Sequence, residues 1–217
     1  MMRQTPSWAP LQGLPAFEAL AARSIALQQE AVGTSSALLL VEEPATLRTP
    51  QPAFFSLHGN TGNGQFSLDG WRGVLDEGLL HAAIQSSQIV TKDAFVWDDR
   101  ATADAEVTAQ LAALQARYPI DMGASILTGF SMGGETALRQ LCEGVVPFAR
   151  LLLLGPGGPL TLDEPAGWAP LLERLPATAR VALLYGLNEP PAALAAIESL
   201  AALLQARVPT FVRAIPG

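Results

Sequence analysis

A chain of 217 residues is long enough to bury one substantial core and needs no second domain. Hydrophobic residues make up 49% and charged residues 15%, which suits a buried sheet covered by helices and excludes an intrinsically disordered chain. A net charge of −7, a pI near 4.8 and no block of lysines or arginines leave no electrostatic footprint for nucleic acid or an anionic membrane, so a neutral or apolar small molecule is the expected partner.

Taken in order, residues 1–14 carry Pro6, Pro10 and Gly13 and are expected to form an irregular surface arm. Met1 to Pro6 lacks the apolar core of a signal peptide, and no run approaches the roughly 18 residues of a membrane span. A soluble, cytoplasmic protein is expected. Phe17, Leu20, Ala21, Ile25 and Leu27 recur at near-helical spacing and predict a first helix over 16–32, stopped by Gly33. The apolar runs 37–41 and 53–57 read as buried strands. The second runs into His58-Gly59-Asn60-Thr61-Gly62-Asn63-Gly64, whose glycines let backbone N–H groups face a ligand. Gln65-Phe66 stands where a phosphate-binding loop needs Lys-Ser/Thr, so nucleotide binding is not expected and the loop is expected to donate to a developing anion.

Residues 69–77 predict a helix closed by Gly78, and a strand begins at 82–84. Trp97-Asp98-Asp99 caps a helix through Tyr118 that turns Val107, Leu111 and Leu114 to one face. Further strands are expected at 151–154, 181–185 and 210–214, with helices at 168–174 and 192–206. Strands separated by helices predict an α/β fold, a mostly parallel central sheet with helices on both faces. The final strand should lie beside 181–185, so that Gly217 leaves the sheet at the edge where the preceding parallel strands end.

Ser125 to Glu135 is the stretch that carries chemistry. Ser125-Ile126-Leu127-Thr128 reads as a strand, Gly129-Phe130-Ser131-Met132-Gly133 as a tight turn, and Thr136, Ala137, Leu138 and Leu141 take up helical spacing. A serine at such a turn is held above the sheet end with its hydroxyl exposed, while flanking glycines avoid collision with strand and helix. Ser131 is the candidate nucleophile. The N–H of Met132, opening the helix, and that of Asn60, in the glycine-rich loop, are candidate oxyanion donors. Cys142 is the only cysteine, which excludes an internal disulfide and a cysteine zinc cluster and reads as a small buried hydrophobe. No histidine clusters with carboxylates at metal-ligand spacing, so no metal or other cofactor is expected.

On His58-Gly59-Asn60, Gly129-Phe130-Ser131-Met132-Gly133-Gly134 and Gly186-Leu187-Asn188-Glu189, residues 36–217 resemble the α/β-hydrolase superfamily, in its small carboxylesterase/phospholipase and dienelactone-hydrolase-like branch. The resemblance implies a three-layer fold without a large lid domain and acyl-enzyme chemistry on an ester or thioester. It assigns Ser131 as nucleophile and His58 to loop ordering. It puts Glu189 at the position of the triad acid, with Asn188 and Asp163 as lesser candidates. The family's base is a histidine after the last strand, yet the only histidines are His58 and His81, and His81 reads as an edge-of-core residue. The expectation is a single domain over 1–217 that stops a few residues short of the catalytic histidine. The alternative is a non-catalytic hydrolase-like domain that binds a ligand or partner. The sequence leaves the oligomeric state open, a dimer included.

Overall fold

The computed structural model describes residues 6–216. In chain order it contains α1 (Pro15–Thr34), β1 (Leu38–Glu42), β2 (Ala53–Leu57), α2 (Gly64–Gly70), β3 (Leu80–Gln85), β4 (Ile89–Thr91), β5 (Ala94–Phe95), α3 (Arg100–Arg117) and β6 (Ile126–Phe130). These are followed by α4 (Met132–Cys142), β7 (Arg150–Leu154), α5 (Pro159–Leu162), α6 (Trp168–Leu172), β8 (Arg180–Gly186), α7 (Pro191–Arg207) and β9 (Thr210–Ile215). Seven strands form one sheet in the order β1-β3-β2-β6-β7-β8-β9, parallel throughout except for the antiparallel β1–β3 pair. No helix among the described residues is long and apolar enough to cross a membrane.

Register divides the side chains between two faces. One face presents Phe55, Leu127, Leu151, Leu153, Val181 and Leu183, all buried, against α3, α4, α6 and α7. The opposite face is covered over β1 to β3 by α2 and the short 3-10 turn Arg72–Leu75, with the Trp71 ring 5.2 Å from Phe54. Beyond β6 that face turns outward. Leu152, Leu154, Ala182 and Leu184 are only half-buried, and Phe211 and Ile215 are 59% and 39% exposed. The sheet does carry helices on both faces, but four of them crowd one side.

α3 begins where the sequence places it, with the Asp99 carboxylate accepting from Thr102 N–H at 2.7 Å, and turns Val107, Leu111 and Leu114 inward. Several expectations need correction. Residues 6–11 form a 3-10 helix instead of an irregular arm; residues 1–5 lie outside the described residues. α1 runs through Gly33 to Thr34 and buries only Phe17 and Ala21, leaving Leu20, Ile25 and Leu27 exposed, because it packs on the small β4–β5 hairpin and not on the sheet. β1 is an edge strand, half-buried and not buried. The helix expected over 69–77 is two short pieces broken at Trp71.

α4 is buried on every side, and its first turn passes over the end of β2. A Cβ at Gly133 would stand 2.5 Å from the Leu57 carbonyl oxygen and closer still to that of His58. Both obstacles are backbone and cannot step aside. Gly133→Ala is therefore expected to destabilise the fold by at least about 1–3 kcal/mol, measured by urea denaturation. Gly33→Ala, where an added Cβ meets nothing within 4 Å, should be neutral or stabilise by about 0.5 kcal/mol.

Candidate active site

Ser131 joins β6 to α4 with φ +51° and ψ −121°, a backbone conformation that costs a non-glycine residue about 1–3 kcal/mol. The surrounding backbone holds it there. Ser131 N–H donates to the Leu154 carbonyl at 3.0 Å, and the Ser131 carbonyl accepts from the N–H groups of Gly134 (2.9 Å), Glu135 (3.1 Å) and Gly157 (3.0 Å). A Cβ on Gly157 would lie 3.8 Å from the Ser131 hydroxyl, so a bare backbone loop walls that hydroxyl on one side. Met132 N–H is one of the first-turn amides of α4, which have no partner within the helix.

The loop after β2 forms a turn in which Gly62 N–H donates to Gly59 O at 2.9 Å and Thr61 takes φ +58°, as the third position of a type II turn requires. Asn60, the second position, is exposed, and Gly59 lies against Phe130, where an added Cβ would meet the ring at 2.7 Å. The loop thus abuts Phe130, the residue before Ser131.

His58 supports this loop from below. Its Nδ1 faces the Gly59 carbonyl at 2.8 Å and its Nε2 the Ser86 amide at 3.2 Å. A carbonyl only accepts and an amide only donates, so the ring is neutral with its proton on Nδ1. Trp97 stacks on it at 4.7 Å and donates from Nε1 to the His58 carbonyl at 2.8 Å. Glu106 accepts from Ser86 Oγ at 3.1 Å and from the Ser87 amide and hydroxyl, holding the segment that His58 bonds. Burial drives the His58 pKa down to about 4, the Gly59 bond only partly opposing it. The loop-ordering assignment matches this geometry, and no nitrogen is left for a base.

His81 is remote as well as buried. It pairs across the sheet with Phe54, which pairs with Ile126, five residues before Ser131, or about 16 Å of strand. Its Nε2 bonds Ser56 Oγ at 2.9 Å, its Nδ1 has no partner among the described residues, and burial lowers its pKa to about 4. It is fully buried, not at the edge of the core.

Glu189 is exposed in the loop after β8, a strand that ends at the same sheet edge as β6 and lies two strands from it. Asn188 shares that loop, whereas Asp163 is an exposed residue ending α5. β9 pairs with β8 in parallel to Ile215, as expected, and Leu187 N–H donates to Ile215 O at 2.9 Å, so β9 also ends at this edge. Gly217 itself lies outside the described residues. Cys142 is a buried hydrophobe with its thiol pushed up to about 12 by burial and by Glu143. No group of three or more metal-ligating side chains occurs among the described residues.

One residue beside the site escaped the sequence reading. Glu135, in the first turn of α4, is buried, and its carboxylate accepts from the amides of Leu160 at 3.1 Å and Thr161 at 2.7 Å. It fixes the Gly155–Pro159 loop over Ser131. Its position in a first helical turn reads equally as a solvated carboxylate, so the sequence offers no signal for it; once buried, the group requires these donors.

No protein-family model matches the chain, and no curated protein matches it. Solved structures do. An uncharacterized protein from Bacillus cereus ATCC 10987 is 21% identical with a TM-score of 0.69, over 100% of this chain and 68% of that one. A dienelactone hydrolase-like promiscuous phosphotriesterase from metagenomic libraries is 19% identical (TM-score 0.65; 86% and 78% covered), and the Bacillus cereus carboxylesterase 16% identical (TM-score 0.61; 87% and 89%). The chain has the α/β-hydrolase fold.

The histidines generate a pH dependence. Unfolded, each titrates near 6.5; folded, near 4. Stability is therefore complete above pH 6.5, falls as the pH drops from 6.5 to 4 because only the unfolded chain takes the proton, and levels off below, by about 3 kcal/mol per histidine. Urea denaturation at pH 7 and 4.5 should show the fall, and His81→Gln should remove about half of it.

Proposed function

We propose that the chain is a serine hydrolase that cleaves carboxylic esters or thioesters through an acyl-enzyme on Ser131. The observation that carries this reading is a serine at φ +51° between strand and helix, its carbonyl tied by three amides. A structure that spends backbone strain on one side chain needs a use for it, and an exposed nucleophile is such a use. Esterase-like neighbours at low identity support the same class.

In this mechanism Ser131 Oγ attacks the carbonyl carbon while its proton passes to a base. The tetrahedral oxyanion is received by the N–H groups of Met132 and Asn60, and the intermediate collapses as the base returns the proton to the departing alcohol or thiol. Water then releases the acid by the reverse sequence. Glu189 orients the base. That base is a histidine, and it is neither His58, whose ring nitrogens are both engaged, nor His81, which is buried far down the sheet from Ser131. It is required at the edge where β8 and β9 end, within reach of Glu189 and Ser131. No cofactor is required. The competing reading, a domain that binds a ligand without catalysis, draws on the same placement of both histidines.

Two experiments separate these readings. A fluorophosphonate probe should label the chain slowly at Ser131 and leave Ser131→Ala unlabelled. A chain extended past Gly217 by about ten to twenty residues that carry a histidine, within the roughly 3.3–3.6 Å reach per residue, should gain p-nitrophenyl ester hydrolysis. An extended chain that stays inert would favour the binding domain. In the active protein, Glu189→Gln should leave the fold intact and lower kcat by orders of magnitude, up to about 10⁴-fold. A loss below about threefold, under 1 kcal/mol, would move the acid to Asp163.

A further inference from the structure

A cavity of about 220 Å³ opens beside Ser131 on the outer face of the sheet. Its floor comes from the reaction edge: Gly59 of the donor loop, Phe130, which precedes the nucleophile, and Leu154, whose carbonyl holds Ser131 N–H. Its far wall is the α2 segment, with Phe66, Ser67, Gly70 and Trp71. No ionisable residue lines it. Phe66 and Phe130 are 62% and 41% exposed at its rim, where aromatic rings gain nothing from water.

The size is informative. An apolar cavity of about 150 Å³ already takes benzene. This one therefore has room for a single ring with a few further carbons, or for an unbranched chain of about six to eight carbons, and its lining offers a charged group no ionisable partner.

We propose that this cavity, not the loop side of the site, seats the apolar group of the substrate, and so selects esters with one medium-length alkyl or monocyclic aryl substituent over acetyl-sized, charged or long-chain ones. The inference rests on Ser131 being the reacting residue, because the cavity touches its neighbours Phe130 and Leu154. A group seated there is held on the Gly59 side of the reacting carbonyl. Gly70 is the position on the far wall with room for a side chain: an added Cβ there meets nothing within 4 Å, so a larger residue fits without a clash.

The test uses Ser131→Ala, which binds esters without turning them over, and reads affinity by calorimetry. One series is p-nitrophenyl esters from acetate to decanoate; the other is alkyl acetates from ethyl to decyl. Affinity should rise about fourfold per methylene up to six to eight carbons in one series and then level off, and the series that responds identifies whether the acyl or the alcohol group occupies the cavity. Gly70→Leu should move the plateau to shorter chains, and Phe66→Ala should weaken the gain per methylene; circular dichroism verifies that both variants fold. Affinity that is flat in both series, or a plateau unmoved by Gly70→Leu and a gain unmoved by Phe66→Ala, would overturn the proposal. Probe labelling of Ser131 is independent of these readings: chain-length selectivity without labelling would retain the cavity and remove the catalytic assignment, while labelling without selectivity would do the reverse.

Discussion

The whole site depends on one backbone contact, that of Gly133 against the carbonyls of Leu57 and His58. Because α4 crosses the end of β2 with no side chain between them, its first turn sits directly on the sheet edge, and the residue before it must turn through left-handed space to get there. Gly129 permits the same approach from the strand side, where a Cβ would stand 2.5 Å from the Gly134 nitrogen. The strain falls on Ser131, and four backbone hydrogen bonds around it prevent relaxation. Ser131, the first-turn amides of α4 and the loop after β2 are thus positioned by main chain, which has little rotamer freedom to lose.

Buried polar side chains then serve the loops and not the chemistry. His58, the half-buried Glu106 and Glu135 each take backbone amides that would otherwise be desolvated without partners, the first two along the segment after β3 and the third at the start of α5. A group used in this way cannot also shuttle protons: the neutral His58 ring has both nitrogens engaged. Arg139 contributes at one remove, pairing with Asp104 at 2.6 Å and with Glu143, so that α3 is locked to the helix that carries the elbow.

Features governed by local rules were legible in the sequence. β2 was bounded by prolines and glycine and coincides with the expected 53–57, Asp99 caps α3 as its position implied, and the elbow glycines announced the close approach at Ser131. What was not legible depends on partners remote in sequence. The spacing of Leu20, Ile25 and Leu27 is that of a buried helix, but nothing in α1 says that the surface it meets is only a two-stranded hairpin. β1 reads as apolar whether it lies inside a sheet or at its edge. Glu135 is indistinguishable from a solvated first-turn carboxylate until the loop 155–161 is folded over it. The parallel register of β8 and β9, by contrast, follows from the intervening α7 and puts Glu189 and the end of β9 at one edge.

The uneven covering of the sheet has a dynamic consequence. Local opening requires least free energy where least apolar surface is buried and where an edge lacks a neighbour. β2 and β6 are sandwiched and central, whereas β9 has one covered face, one free edge and Phe211 and Ile215 in water. Amide exchange should therefore grade across the molecule, slowest beneath Ser131 and fastest at the far strand. Ser131 and the amides of Met132 and Asn60 belong to the rigid half of this gradient, and Glu189 to the yielding half, so a fluctuation that frees the last strand loosens the loop of Glu189 while leaving the turn at Ser131 intact.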